Sequence, residues 1–163
     1  MKAVQVRNRQ RAHRINVELA REIASAVLQE ELWLKEYELA VHFVSAGKMA
    51  EMNEHFLKHR GSTDVITFDY RDGYGELAEL DSRNADLAGE IYISVGDAAA
   101  QAQEFSTTIP EELARYVIHG ILHLRGFDDI EPASRRMMKR EENRLVRRLA
   151  RRFPVAKLAK VAR

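Results

Sequence analysis

The stretch HGILHLRGFDD, residues 119–129, determines how the rest of the chain is interpreted. His119 and His123 are four residues apart, so on an α-helix both imidazoles project from one face, close enough to bind one cation. Gly126 is placed to end that helix in a left-handed conformation, which a Cβ disfavours, and to turn the chain back toward the helix face. Two carboxylates follow the turn, those of Asp128 and Asp129. The spacing therefore predicts a metal site at the end of this helix.

A lone histidine on a helix is more often a partly buried or surface residue than a metal ligand. The second histidine at i+4, the glycine turn and the trailing aspartates together favour metal binding. Two neutral imidazoles and one carboxylate are a known ligand set for catalytic zinc, and they leave a fourth position for water or substrate. We therefore expect a catalytic site, which can also accept other divalent metals because one ligand is a carboxylate.

Length and composition are those of one ordinary domain. The chain has 163 residues, of which 45% are hydrophobic, and we expect a single domain over residues 1–163 with a genuine core. It contains no cysteine, which excludes disulfides, thiolate catalysis and cysteine zinc ribbons, so any metal site has to use histidines and carboxylates. No signal-like start and no apolar run of the roughly 20 residues that cross a bilayer is present. We expect a soluble, cytoplasmic protein.

Charge is distributed unevenly along the chain. Residues 135–163 contain twelve Lys or Arg and two Glu, a net charge of +10, so residues 1–134 carry −9 of the total of +1. A segment of this density is compatible with a phosphate-rich partner. The alternative is a solvated helix face followed by a disordered basic tail. The arginines expected on the outer face of the last helix are Arg140, Arg144, Arg147, Arg148 and Arg151.

The apolar periodicity predicts an α+β fold, a small mixed β-sheet of about four strands covered by helices, with the metal-site helix in the core. Period-two alternation indicates strands at residues 2–6, 37–44, 65–70 and 89–94. Helical spacing indicates helices at residues 16–33, 45–56 and 95–105, then from Pro110 to the Gly126 turn, and at residues 131–153. Residues 72–88 are rich in turn formers, and we expect a surface loop there. The pattern does not encode the order of the strands.

Two side-chain placements follow from this assignment. The alternation in residues 37–44 places His42 on the polar face of its strand. In the helix that begins after Ser45, the residues Met49, Met52 and Phe56 are expected to form the stripe that packs on the core.

Lys58, His59 and Arg60 form a compact cationic corner before the third predicted strand. Such a corner is either a solvated loop or a contact for the phosphates of a nucleic acid.

The residue between the two histidines limits the chemistry. A zinc peptidase of the helical two-histidine type has a glutamate directly after the first histidine, which acts as general base. Here that position is Gly120, which disfavours a peptidase. Hydrolysis of a phosphodiester suits such a centre better, because the cation can neutralise a nonbridging oxygen while it activates water.

Together with two upstream runs, NEHFLKHRGSTDVITF (residues 53–68) and GEIYIS (residues 89–94), the HGILHLRGFDD run resembles the YbeY-type endoribonucleases, single-domain metal-dependent RNases. The resemblance covers roughly residues 37–130, in the same order. It implies an α+β fold, a zinc ion, and processing of the end of small-subunit ribosomal RNA together with late ribosome quality control. Asp64 matches the carboxylate of the family's Thr-Asp-Val run and is expected to be catalytic, although it can also simply cap a turn.

The resemblance implies His119, His123 and Asp129 as the metal ligands, with two departures from the family. The family usually has a third histidine at the position of Asp129, and Asp128 matches an acid beside that position, which could orient a ligand. The family also usually has an arginine, thought to be important for activity, six residues before the Thr-Asp-Val run. That position is Leu57 here, and Lys58 or Arg60 is a candidate substitute.

Two functions from different classes follow. The first is a zinc-dependent endoribonuclease acting on ribosomal RNA, in which Lys58, His59, Arg60 and the C-terminal helix hold phosphates; small-subunit ribosomal proteins are possible further partners. The second is a ribosome-associated RNA-binding factor with a mainly structural metal, in which catalysis is weak or lost with the change at Leu57.

Overall fold

A four-stranded mixed β-sheet lies at the centre of the computed structural model, which describes residues 1–57, 63–72 and 84–161. The strands are β1 (Lys2–Asn8), β2 (His13–Ile15), β3 (Tyr37–Val44), β4 (Val65–Asp69), β5 (Leu87–Ser94) and β6 (Ala159–Val161). The helices are α1 (Val17–Ala26), α2 (Ala46–Leu57), α3 (Val95–Glu104), α4 (Ile109–Leu124) and α5 (Pro132–Arg152). One π-turn (Val27–Glu31) and two 3-10 turns (Tyr70–Asp72 and Val155–Lys157) complete the described elements.

The order of the strands in the central sheet is β1-β3-β5-β4. The β1–β3 and β3–β5 pairs are parallel, whereas β4 runs antiparallel to β5. The predicted fold class, a small mixed sheet of four strands with helices packed on it, is therefore confirmed. A second sheet pairs β2 with β6, so that Arg14 lies opposite Lys160.

Helix α4 is buried in the core, as predicted. Its start follows from the sequence, because Thr108 and Glu111 form a capping box and Pro110 occupies the first turn. Its apolar side chains pack against β4 and β5, and those that are 2% exposed or less are Leu113, Val117, Ile118, Ile121, Leu122 and Leu124. Each such burial contributes roughly 1.5–3 kcal/mol relative to an exposed side chain. The metal-site helix is thus held rigidly against the sheet.

The C-terminal segment is part of the fold. The amide of Asn16 donates to the carbonyl of Leu158 at 2.8 Å, the Leu158 side chain is buried, and β6 pairs with β2. The disordered basic tail that was the alternative for this region is therefore wrong for residues 155–161. Among the residues described, no helix is both long and apolar enough to span a membrane.

Three other expectations need correction. Phe56 is 54% exposed, whereas Met49 and Met52 are buried, because Phe56 makes an edge contact with Phe68 at the border of the small core that the two methionines share with Ile66. The loop expected over residues 72–88 ends earlier, since β5 begins at Leu87; residues 73–83 lie outside the described part. The first long helix changes to a π-turn after Ala26.

His42 is buried and not on a solvated face. It is 4% exposed, and its ring stacks on Tyr92 with centroids 4.4 Å apart. Burial lowers the pKa of the His42 imidazole; Glu90, 3.6 Å away, acts in the opposite direction, and the charges of Arg9 and Arg7 lower the pKa further. The neutral imidazole is therefore the form that the fold accommodates.

We expect this histidine to make stability depend on pH. The folded chain resists protonation of His42. The contribution of His42 to the free energy of unfolding should therefore be greatest above the ordinary pKa of 6.5 and should fall as the pH drops below that value. The slope attributable to His42 can reach about 1.4 kcal/mol per pH unit. Urea denaturation between pH 7 and 5 should therefore show a shallower pH dependence for His42→Phe than for the parent. Equal slopes for the two chains would contradict this assignment.

Candidate metal centre

The turn after α4 brings its two histidines and an aspartate together. Gly126 has φ = 95°, a conformation that favours glycine, and the amide of Phe127 donates to the carbonyl of Leu122 at 3.0 Å. These features close the helix and return the chain toward it, as the sequence predicts. Arg135 holds the returning segment by donating to the carbonyl oxygens of Asp129 and Ile130, at 3.1 and 3.2 Å.

His119, His123 and Asp129 form a compact group of potential ligands. The Nε2 atoms of His119 and His123 lie 3.7 and 3.5 Å from Oδ2 of Asp129, and one ligand atom from each residue lies within 4.8 Å of the others. Ligand atoms around a tetrahedral zinc, each about 2.0–2.1 Å from the ion, are about 3.3 Å apart. The observed spacing is close to that value, so these three residues can hold one metal ion.

The other ring nitrogens of both histidines are held by protein oxygens. Nδ1 of His119 lies 3.2 Å from Oε1 of Glu142, and Nδ1 of His123 lies 3.1 Å from the carbonyl oxygen of Phe127. A proton on each Nδ1 satisfies these contacts and leaves Nε2 with its lone pair directed toward Asp129. Metal-binding histidines in proteins have this arrangement, in which a carboxylate or a carbonyl fixes the tautomer.

Glu142 is the residue of this centre that sequence reasoning missed. Its side chain is 5% exposed and lies 3.3 Å from both Arg115 and Lys139. Burial raises the pKa of the Glu142 carboxyl, but the His119 contact and the charges of Lys139 and Arg115 more than offset this and lower it. A signal for Glu142 exists in the sequence, because it occupies the inner stripe of α5 between the buried Met138 and Leu145, where a charge requires partners.

Asp128 faces away from the metal group. Its Oδ1 accepts a hydrogen bond from the amide of Ile130 at 2.9 Å, so it stabilises its own turn. This contact does not involve a metal ligand, so it gives no support to the expectation that Asp128 orients one. In the described part of the chain, Glu142 and the Phe127 carbonyl are the groups that contact the Nδ1 atoms of the two imidazoles.

Asp64 lines the same cavity as His119 and Asp129, which has a volume of about 250 Å³. One carboxylate oxygen of Asp64 accepts from its neighbour's amide, that of Val65, at 2.9 Å, and the other accepts from Nε2 of Gln101 at 3.4 Å. Asp64 therefore both caps a turn and faces the cavity that contains part of the metal group.

Tyr116 contributes a buried donor to the same cavity. Its hydroxyl has no hydrogen-bond partner among the described residues. Burial, followed by the charges of Asp64 and Glu112, raises the pKa of the Tyr116 hydroxyl. The hydroxyl is therefore neutral and buried without a partner among the described residues.

Packing explains why the position between the histidines is glycine. A Cβ on Gly120 would lie 2.7 Å from the side chain of Ile91 on β5, so this position faces the sheet and not the metal group. A larger side chain there would collide with the Ile91 side chain. Because Gly120 carries no carboxylate, the chain lacks the general base that a peptidase of this type has at this position.

The cationic corner and the basic C-terminal helix, both predicted as phosphate contacts, have different outcomes. Lys58, His59 and Arg60 lie outside the described residues, as does the side chain of Leu57. In the basic helix, some of the arginines are already paired with acids of the π-turn. Arg148 donates to Glu31 at 2.8 Å, Arg144 lies 3.8 Å from the same carboxylate, and Arg152 pairs with Glu30.

Comparison with known proteins identifies the family. The family model described as Endoribonuclease YbeY matches residues 5–150. The Endoribonuclease YbeY of Bacteroides fragilis is 38% identical over 107 residues, which cover 66% of this chain and 69% of that protein. Its counterpart in Thermoanaerobacter sp. is 30% identical over 137 residues, covering 81% and 86% of the two chains.

A solved structure supports the same assignment. The solution structure of TM1509 from Thermotoga maritima superposes with a TM-score of 0.58 at 27% sequence identity, and the match covers 88% of this chain and 87% of that one. With the family model spanning most of the sequence and the relatives matching over most of their own length, the chain belongs to the endoribonuclease YbeY family.

Proposed function

We propose that this chain is a zinc-dependent endoribonuclease that acts on ribosomal RNA, in maturation of the end of small-subunit ribosomal RNA and in ribosome quality control. Its class, a metal-dependent RNA hydrolase, follows from family membership. The observation that carries the zinc site is the pair of Nε2 atoms directed at one carboxylate, with both Nδ1 atoms held by protein oxygens. We also propose that residues 1–163 act as one domain, in the cytoplasm.

His119, His123 and Asp129 would hold the zinc ion. When bound, zinc supplies a Lewis acid that neutralises a phosphate oxygen and acidifies water. Two imidazoles and a carboxylate, without cysteine, are a ligand set that also suits manganese or iron. Zinc is favoured because the two Nε2 atoms lie 3.5–3.7 Å from Oδ2 of Asp129, near the separation of about 3.3 Å between ligand atoms around a tetrahedral zinc.

Asp64 is the proposed catalytic carboxylate. It faces the cavity beside His119 and can accept a proton or a hydrogen bond from a hydroxyl placed there. Glu142 keeps His119 in the tautomer that presents Nε2. Lys58, His59 and Arg60 remain proposed contacts for RNA phosphates, and small-subunit ribosomal proteins remain proposed partners.

Cleavage of RNA is expected to require the metal and to be selective for RNA. Purified protein incubated with a structured fragment from the end of small-subunit ribosomal RNA should cleave it, a chelator should stop cleavage, and added zinc should restore it. A peptide library incubated in parallel should remain intact, because position 120 is a glycine and supplies no general base. Peptide hydrolysis that is lost in His119→Ala would contradict the proposal.

The alternative function gives a different result in the same assay. If Leu57 removes a group that catalysis needs, the chain binds the ribosomal RNA but does not cleave it with or without zinc. RNA binding without cleavage would assign the chain to the RNA-binding class with a structural metal.

A further inference from the structure

Two helix faces meet beside the metal group and bring three cations to one cleft. On α4, Arg115 precedes His119 by four residues and therefore lies on the same face. On α5, Arg135, Lys139 and Glu142 follow one another at spacings of four and three residues, which also places them on one face. All of them line the cavity of about 250 Å³ that contains His119, Asp129 and Asp64.

The cations of this cleft exceed the acids that contact them. Among the described residues, Glu142 is the one carboxylate in contact with both Arg115 and Lys139, at 3.3 Å from each. A single negative charge cannot neutralise two permanent positive charges, and Arg115 completes its contacts with the neutral amide of Asn143. The described hydrogen bonds of Arg135 go to backbone carbonyls. Glu142 is therefore shared by two cations on the α4–α5 side of the cavity, and the other two carboxylates that line the cavity are Asp129, of the potential ligand group, and Asp64.

A purely structural role explains the arrangement poorly. The Lys139 side chain is 60% exposed, and ion pairs at such exposure contribute little, about 0–1 kcal/mol, to stability. Arg115 alone is enough to balance Glu142. Tyr116, next to Arg115, also lines this cavity, and its hydroxyl is buried without a hydrogen-bond partner among the described residues. Two cations that line one cavity are groups that bind a phosphate.

We propose that Arg115 and Lys139 form a phosphate-binding site that holds a phosphodiester of the RNA strand on the α4–α5 side of the metal group. The inference rests on the proposed function, because it takes RNA as the ligand of the cavity. Glu142 sets the separation of the two cations while it orients His119. One buried carboxylate thereby couples the position of the RNA backbone to that of a metal ligand.

The test is a salt titration of RNA binding. A fluorescently labelled single-stranded RNA is titrated with the full chain in chelator, which prevents cleavage, and the dissociation constant is measured by anisotropy at several salt concentrations. Each phosphate contact contributes about 0.7 to the slope of log affinity against log salt for single strands. Arg115→Gln and Lys139→Gln should each lower that slope by about this amount and weaken binding about tenfold at low salt.

The matched control is Arg136→Gln, which removes the same charge from an exposed position on α5 that does not line the cavity. Arg136→Gln should keep the parental slope. Lys139→Arg should also keep it, because the positive charge that Lys139→Gln removes is still present. Circular dichroism checks the fold of each variant. Lys139 is exposed, so Lys139→Gln should fold and can be tested even if Arg115→Gln does not fold. Slopes equal to that of Arg136→Gln in both variants would overturn the inference. In that case cleavage by the parent still supports the proposed function, whereas a parent that neither binds nor cleaves RNA refutes that function itself.

Discussion

Asp129→Ala is expected to purify with little bound zinc, whereas Asp128→Ala should retain most of it. The Asp129 carboxylate lies 3.5–3.7 Å from both Nε2 atoms, so its loss leaves two imidazoles that cannot hold the ion firmly. Asp128 is occupied by the amide of Ile130, and its loss affects the turn alone. Metal content per chain, measured by mass spectrometry after purification in zinc, separates the two variants.

Asp129→His is the gain-of-ligand control for this experiment. It creates the three-imidazole set that the family usually has at this position, and it should bind zinc as well as the parent. Asp129 is 45% exposed, so the larger ring has room. If Asp128→Ala loses the metal and Asp129→Ala keeps it, the turn after Gly126 does not place the ligands as described.

Glu142→Ala is expected to have the second largest effect. Losing the oxygen that contacts Nδ1 of His119 frees the ring to rotate, and loss of such a supporting group typically lowers metal affinity or activity by about 10–100-fold. Glu142→Gln keeps an oxygen at the same position and should fall between the parent and Glu142→Ala. Zinc affinity is measured by competition with a chelating dye.

The neighbouring residue provides the control for Glu142. Glu141 has the same charge on the same helix, but its partner is Arg144, and Glu141→Gln should change zinc affinity by no more than about twofold. The charge of α5 is altered equally in Glu141→Gln and Glu142→Gln, so a difference between them reports the contact with His119. Equal zinc affinities for the two glutamine variants, together with a parental affinity for Glu142→Ala, would show that Glu142 does not support the metal site.

Local rules predict the metal helix well, because every determinant lies within one stretch. The i, i+4 spacing sets both imidazoles on one face, the capping box begins α4, and Gly126 ends it. The four strands of the central sheet also follow from their alternation. Their order does not, because it depends on which strands the helices bring together and not on any one segment.

Residues supplied by tertiary packing were not predicted. Glu142 enters the site because α5 packs on α4, and Arg115 acquires its role from the same contact. His42 was placed on a polar face because alternation distinguishes the two faces of a strand but does not show what covers them; Tyr92 covers His42 here. The β2–β6 pair was missed because each strand has three residues and the two are far apart in sequence.

Zinc titration of the metal-free chain tests the central claim most directly, with bound zinc and the rate of RNA cleavage recorded in the same samples. We expect the rate to rise in proportion to bound zinc and to reach its plateau at one ion per chain, and we expect His123→Ala to show neither binding nor cleavage over the same range. Full cleavage by the metal-free chain, or cleavage by His123→Ala at the parental rate, would contradict the central claim.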